Sequence, residues 1–150
     1  LLRAGVLASD ARLLAEDGRW RIEGDPTEGA LVVAAAKLAV DQGSLNDAEL
    51  RIHEIPFSSE RRRMTTLHRG AAGTMAYSKG SADVILPDCV LQLGESGPRP
   101  LGRADRERYV ALERQMAAEG LRVLALARKA TGSVQDAEQE MTFLGLVGMM

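Results

Sequence analysis

Two stretches of the 150-residue chain carry apolar side chains at the spacing of an amphipathic helix. The first runs from Pro26 to about Gln42, where Gly43 is expected to end it. The second covers residues 104–120, with Gly120 as its C-cap. Its predicted inward-facing side chains are Tyr109, Leu112, Met116 and Ala117. The shorter predicted helices are residues 2–8 and 81–86.

Other stretches alternate between apolar and polar residues or are apolar throughout, which is typical of β-strands. Residues 12–23 predict a hairpin that turns at Asp17-Gly18. The further predicted strands lie in 51–57, on both sides of a glycine-rich turn in 64–80, in 121–130 and in 141–150, and residues 93–100 are predicted as a loop. Because strands and helices do not alternate strictly, we expect an α+β fold with a twisted antiparallel β-sheet flanked by helices.

Composition indicates one domain, residues 1–150, with an aliphatic core. The single Cys89 excludes an internal disulfide, and with two isolated histidines it predicts no metal site. A net charge of −2 gives no reason to expect a nucleic-acid partner. No apolar run approaches the roughly 18 residues that span a bilayer, so we expect no direct membrane insertion.

The ends of the chain suggest that it is part of a longer protein. The sequence begins without Met and ends in the apolar run "MTFLGLVGMM". Because a natural domain rarely stops inside a hydrophobic strand, we expect a fragment, and a monomer in isolation.

The stretch "GDPTE" combines a helix start with a candidate site residue. Asp25 suits the N-cap, and Pro26 suits the first helical position. Glu28, three residues after the cap, could reach back to the N-cap amide and close a capping box. A side chain that does so cannot at the same time point at a ligand, so the two roles are alternatives for Glu28.

The stretch "PFSSERRRM" permits two interpretations. The arginines Arg61, Arg62 and Arg63 could form a solvated turn between strands, and Phe57 could be ordinary core. Alternatively, an exposed Phe57 beside a guanidinium suits a planar base that carries phosphates. No general base is apparent beside Ser58 or Ser59, so the pattern gives no support for a nucleophilic hydrolase.

Two further cations lie at predicted strand ends. Lys79 before Gly80 could contact a phosphate where the backbone approaches closely, although an exposed Lys in a turn would have the same pattern. Arg122 begins the apolar run "LRVLALA", where an arginine usually faces solvent.

The order of these motifs is more specific than any one of them. "GDPTEGAL", "PFSSERRRMT", "YSKGSADVIL", "GLRVLALA" and "FLGLVGMM" follow one another across the chain. In this order they resemble the nucleotide-binding domain of P-type cation-transporting ATPases, most closely the P2 group that includes the calcium pumps. The resemblance implies an antiparallel sheet flanked by helices.

On the adenine side, the resemblance implies roles for three residues. Glu28 corresponds to a carboxylate near the adenine, so we expect it to face the site while Asp25 caps the helix alone. Phe57 corresponds to the aromatic ring that stacks on the adenine. Leu124 corresponds to a residue close to the base.

On the phosphate side, the resemblance implies that Lys79 lies deep in the nucleotide pocket, followed by Gly80, and that Arg122 lies near the phosphates. Arg62 stands where the family usually has a lysine, so the positive charge is kept with a different geometry. Ser59 stands where animal calcium pumps often have an arginine.

The resemblance also implies what the chain does. It implies a cytoplasmic domain of an integral membrane protein that binds ATP, as Mg-ATP in the intact pump. The γ-phosphate would be presented to an aspartate in a separate phosphorylation domain, so this chain has no catalytic residue of its own. The implied partners are the phosphorylation and actuator domains of the parent chain. An interaction module that keeps the fold but has lost the nucleotide is the alternative.

Overall fold

The computed structural model describes all 150 residues, in five α-helices and nine β-strands. The helices are α1 (Leu2–Leu7), α2 (Pro26–Lys37), α3 (Gln42–Ala48), α4 (Ala82–Ile85) and α5 (Arg103–Ala118). The strands are β1 (Arg12–Glu16), β2 (Arg19–Glu23), β3 (Leu50–Ile55), β4 (Arg63–Gly70), β5 (Gly73–Gly80), β6 (Cys89–Gly94), β7 (Gly97–Pro100), β8 (Arg122–Ala130) and β9 (Met141–Met149). No helix combines the length and the hydrophobicity needed to cross a bilayer.

Seven of the strands form one sheet in the order β3-β4-β5-β8-β9-β6-β7, and β1 pairs with β2 in a separate hairpin. The neighbours in the large sheet are antiparallel except β6 and β9, which are parallel. A parallel pair needs a long crossover, and β7, α5 and β8 supply it here. The predicted α+β class with a largely antiparallel, helix-flanked sheet is confirmed.

Helices cover both faces of the large sheet. The first core cluster, on the face covered by α1 to α3, contains Ala4, Val6, Leu7, Ala8, Ala35, Leu45 and Tyr77. The second, on the face covered by α4 and α5, contains Ala82, Ile85, Leu86, Cys89, Leu101, Ala125, Ala127, Met141 and Phe143. Aliphatic and small side chains therefore make up most of both clusters, and each cluster also contains one aromatic residue.

The predicted helix from Pro26 to Gln42 is wrong at its C-terminal end. The helix ends at Lys37, and Ala39 adopts a positive φ of 60°. Asp41 then caps α3 by accepting a hydrogen bond from the Ser44 amide at 2.8 Å. The apolar spacing continues through this break, which is why the pattern alone joined the two helices.

The predicted loop at residues 93–100 is also wrong, because it forms the end of β6 and the whole of β7. The two prolines of "GPRP" argue against a strand, since proline cannot donate to a sheet ladder. Strand β7 is the edge of the sheet, where a missing donor is tolerated.

Helix α5 is more exposed than predicted. Tyr109 packs against the second core cluster and Met116 lies against Gly148, as expected for inward positions. Leu112, however, is 41% exposed, and Ala117 is exposed as well. The helix therefore contacts the sheet through a narrow stripe of side chains, and the wide apolar face that the pattern predicted is absent.

His68 gives the fold a testable pH dependence. It is buried against Tyr77, and burial, reinforced by the charge of Arg51, lowers its pKa to about 4. Since the unfolded chain takes up this proton near pH 6.5, His68 contributes stability that is complete above that pH and is lost as pH falls toward 4.

We therefore expect the free energy of unfolding of the wild type to fall faster than that of His68→Gln between pH 6.5 and 4. Near pH 5 the slope of the free energy of unfolding against pH should be steeper in the wild type by about 1 kcal/mol per pH unit. Urea denaturation of both proteins at several pH values measures it, and the carboxylates titrate equally in both. Parallel curves would contradict a buried neutral His68.

Candidate nucleotide-binding site

The sheet register brings the predicted site residues to one end of four neighbouring strands. Ile55 pairs with Thr65, and Arg63 pairs with Gly80, which in turn pairs with Ala125. The end of β3, the start of β4, the end of β5 and the start of β8 therefore lie side by side. We call this region, with the loop of residues 56–62, the site edge.

Lys79 and Glu28 meet at the site edge in a buried ion pair. The Glu28 Oε1 atom accepts from the Lys79 ammonium at 2.5 Å, and the two side chains are only 9% and 13% exposed. Lys79 also donates to the Ala8 carbonyl. Burial lowers the pKa of Lys79, while the bond to Glu28 opposes this effect.

Glu28 does not close a capping box. Its Oε2 atom accepts from the backbone amides of Asp10 at 2.7 Å and Ala11 at 2.9 Å. Asp25 alone caps α2, accepting from the amides of Thr27 and Glu28 at 2.8 and 3.2 Å. The expectation that Glu28 turns away from its own helix end is confirmed.

Phe57 lies at the tip of the site edge and is 61% exposed, so the interpretation of this residue as ordinary core is wrong. Its loop is held by a turn in which the Arg62 amide donates to the Ser58 carbonyl at 2.8 Å. The Ser58 hydroxyl accepts from the Arg61 amide at 3.1 Å. A tight turn thus presents a large apolar ring to solvent.

The arginine triplet does not form a single solvated turn. Arg62, at a positive φ of 51°, pairs with Asp83 on α4 at 2.7 Å. Arg61 makes a two-pronged pair with Glu138 at 2.7 and 3.0 Å. Arg63 is buried and pairs with Asp88 at 2.5 Å. Of the three arginines, only Arg62 therefore keeps a side chain that is more than half exposed.

Arg122 and Leu124 occupy the start of β8. Arg122 is exposed and forms no ion pair, as expected for an arginine at a strand start. The backbone amide of Glu28 is the main cause that lowers the pKa of Asp25, and the charge of Arg122 lowers this pKa further. Leu124 is half-buried and shares a sheet face with Lys79, since Leu126 is the register partner of Lys79.

Gly80 fits the site edge because it has no side chain. A Cβ atom there would lie 2.4 Å from the Arg62 carbonyl oxygen and 2.9 Å from the Arg63 Cα atom. Both are backbone atoms, which cannot move without distorting β4. The Ser81 amide also donates to the Arg62 carbonyl at 3.1 Å.

We expect Gly80→Ala to lower the free energy of unfolding by about 1–3 kcal/mol, the usual cost of overpacking. The matched control is Gly132→Ala, because a Cβ at Gly132 meets nothing within 4 Å. Chemical denaturation of both variants measures the difference. Equal stabilities would show that the backbone around Gly80 adapts.

Sequence reasoning missed two groups outside the site edge that hold its side chains in place. The backbone of residues 8–11 holds both Lys79 and Glu28, yet no side-chain signal marks that segment. Glu138 joins Arg61 to the Thr65 hydroxyl, which donates to it at 2.5 Å. The only signal for Glu138 was its position in a polar linker before β9.

Comparisons with known proteins identify the kind of domain. A family described as "P-type ATPase, cytoplasmic domain N" matches residues 1–150. The chain is 39% identical over 136 residues to "Probable cation-transporting ATPase F" of Mycobacterium tuberculosis, covering 90% of this chain and 15% of the relative. It is 38% identical to "Cation-transporting ATPase pma1" of Synechocystis, covering 99% and 17%. It is 35% identical to "Calcium-transporting ATPase 1" of Bacillus cereus, covering 100% and 17%. The chain spans about a sixth of the length of these relatives.

Proposed function

The chain belongs to the cytoplasmic N domains of P-type ATPases, and we propose that its site edge binds ATP for a cation pump. The single observation that supports this proposal most is that an exposed aromatic ring and several cations lie at the same end of the sheet. Phe57 offers a stacking surface, and Lys79, Arg62 and Arg122 supply the positive charge. An aromatic face beside cations is the combination that a base with phosphates requires.

The donor set fits an adenine nucleotide residue by residue. The ring of Phe57 stacks on the base, and Leu124 borders it on the sheet face. The Glu28 Oε1 atom accepts only from Lys79, so it keeps one acceptor position for an amino group such as that of adenine. Lys79 and Arg122 face the phosphates, while Gly80 keeps the strand end free of a side chain.

The Arg62 guanidinium can pair with Asp83 or with a bound phosphate. The ion pair is exposed at both ends, with side chains 53% and 58% exposed, and such pairs contribute little to stability. Arg62 can therefore turn toward a bound anion at small cost. Its planar guanidinium can contact two phosphate oxygens at once.

In the parent pump, Mg-ATP supplies the phosphoryl group, and this chain's part is to bind and orient it. The γ-phosphate is presented to an aspartate of a separate phosphorylation domain. The parent is an ATP-driven cation translocase of the membrane, with calcium as the cation that relatives such as "Calcium-transporting ATPase 1" suggest. The phosphorylation and actuator domains are its partners within the parent chain, and the isolated chain is a monomer.

Calorimetric titration of the 150-residue chain with ATP, with and without Mg²⁺, tests the proposal. We expect saturable binding and, in a phosphate-release assay, no hydrolysis above background. The alternative is an interaction module without nucleotide, and it is favoured by the carboxylate partners that Lys79 and Arg62 already have. Absence of saturable heat and of NMR shifts at the site edge would reject ATP binding and leave that alternative.

A further inference from the structure

We propose that a groove between the β1–β2 hairpin and helices α2 and α3 binds a small amphiphilic organic anion with an aliphatic tail. The groove encloses about 810 Å³. This volume falls within the range of about 300–1,000 Å³ typical of small-molecule sites. We call it the hairpin groove, and its lining includes Leu13, Trp20, Val33, Ala36, Val40 and Gln42. It contains none of the residues proposed to bind ATP.

The walls of the hairpin groove suit an aliphatic tail. Most of its lining residues are hydrophobic, and they come from the β1–β2 hairpin on one side and from α2, α3 and the segment between these helices on the other. Trp20, the only tryptophan of the chain, is 71% exposed at the rim. An apolar side chain of this size gains the most when a ligand covers it.

The charges of the hairpin groove select an anion. Arg12 and Lys37 line it, and neither takes part in any of the ion pairs of the structure. The one carboxylate of the lining, Asp41, accepts from the Ser44 amide and hydroxyl at 2.8 Å each. Two free cations and a carboxylate engaged in a helix cap leave the groove complementary to a negative head group.

The hairpin groove is preformed because its two sides are tied together. The Gln42 side chain donates to the Ala11 carbonyl at 2.7 Å and accepts from the Leu13 amide at 3.3 Å. On the other side, Ile22 packs so closely on α2 that a Cβ at Gly29 would lie 2.5 Å from it. A preformed groove does not lose binding energy to ordering its walls.

Trp20 makes the proposal directly measurable, since all tryptophan fluorescence of the chain reports on this groove. The probe is decanoate below its aggregation threshold, compared with decanol and decyltrimethylammonium. We expect a saturable change with decanoate, weaker binding of decanol, and the weakest binding of the cation. Shortening decanoate to octanoate should weaken binding by about two- to fourfold for each CH₂ removed. Added salt should weaken the binding of decanoate but not that of decanol.

Two variants locate the site. The double variant Arg12→Gln with Lys37→Gln should weaken decanoate binding about two- to thirtyfold, which is the contribution expected from two exposed ion pairs. The binding of decanol should not change. Ala36→Glu places a carboxylate in the groove and should weaken decanoate by about fivefold. Its matched control is Ala111→Glu on α5, also exposed but outside the groove, which should bind like the wild type.

Several outcomes would overturn the proposal. They are the absence of a saturable change in Trp20 fluorescence with decanoate, binding of decyltrimethylammonium as strong as that of decanoate, and a loss of decanoate binding in Ala111→Glu equal to that in Ala36→Glu. Sedimentation that shows a concentration-dependent dimer, with Trp20 fluorescence changing in step, would instead assign the groove to a second copy of the chain. Decanoate binding should be the same in Phe57→Ala as in the wild type. This proposal can therefore be confirmed or rejected independently of ATP binding.

Discussion

Replacing Glu28 with alanine should lower the free energy of unfolding by about 3–5 kcal/mol, the cost of leaving one partner of a buried ion pair uncompensated. Lys79 would keep only the Ala8 carbonyl and weaker contacts around its buried ammonium. The amides of Asp10 and Ala11 would also lose their acceptor. An unpaired polar group that stays buried costs its full desolvation.

Urea denaturation of wild type and Glu28→Ala measures this loss. The matched control is Glu107→Ala, which breaks an exposed pair with Arg103 at 2.8 Å on α5. Exposed pairs at this helical spacing contribute about 0.3–0.5 kcal/mol, so the control should stay close to wild type. If the two variants were equally stable, Glu28 would have no special structural role.

A second comparison separates the charge of Glu28 from its hydrogen bonds. Glu28→Gln can still accept from Asp10 and Ala11 but leaves Lys79 without an anion. Adding Lys79→Met removes that buried charge, so the double variant should recover most of the stability that Glu28→Gln loses. Additive losses would show that the two side chains do not interact in the way their distance implies.

The parts of the fold that sequence predicted well are those governed by local chemistry. Asp25 and Pro26 start α2 as expected, and Asp17-Gly18 turns the first hairpin, both residues at positive φ. Local chemistry failed where two signals competed. The apolar spacing concealed the break at Ala39, and the prolines of β7 concealed an edge strand.

The site edge was predictable in outline and not in its contacts. In the observed register, the antiparallel pairing of β4 and β5 brings Gly80 beside Arg63, so the motifs around these two residues meet. The Glu28–Lys79 contact joins residues 51 positions apart and depends on how α2 packs on the sheet. Likewise, nothing in an arginine triplet indicates which carboxylate each guanidinium pairs with, because Asp83, Asp88 and Glu138 all lie at least 20 residues further along the chain.

Replacing Phe57 with alanine should weaken ATP binding by about five- to 150-fold, because stacking of a base on an aromatic ring contributes about 1–3 kcal/mol. The same change should leave stability nearly unaltered, since Phe57 is 61% exposed and loses little packing. Phe57 is therefore a cleaner probe than Lys79, whose removal would leave Glu28 buried without its partner. Calorimetric titration with ATP, beside a thermal denaturation curve, measures both quantities.

Trp20→Ala is the matched control, because Trp20 is also an exposed aromatic residue but lies in the hairpin groove. It should bind ATP like the wild type, and Phe57→Tyr should keep most of the affinity because it keeps the ring. Loss of ATP binding in Trp20→Ala with none in Phe57→Ala would move the nucleotide from the site edge to the hairpin groove. Because the two rings belong to separate elements, the pair of variants decides which surface the base occupies, whatever the absolute affinity is.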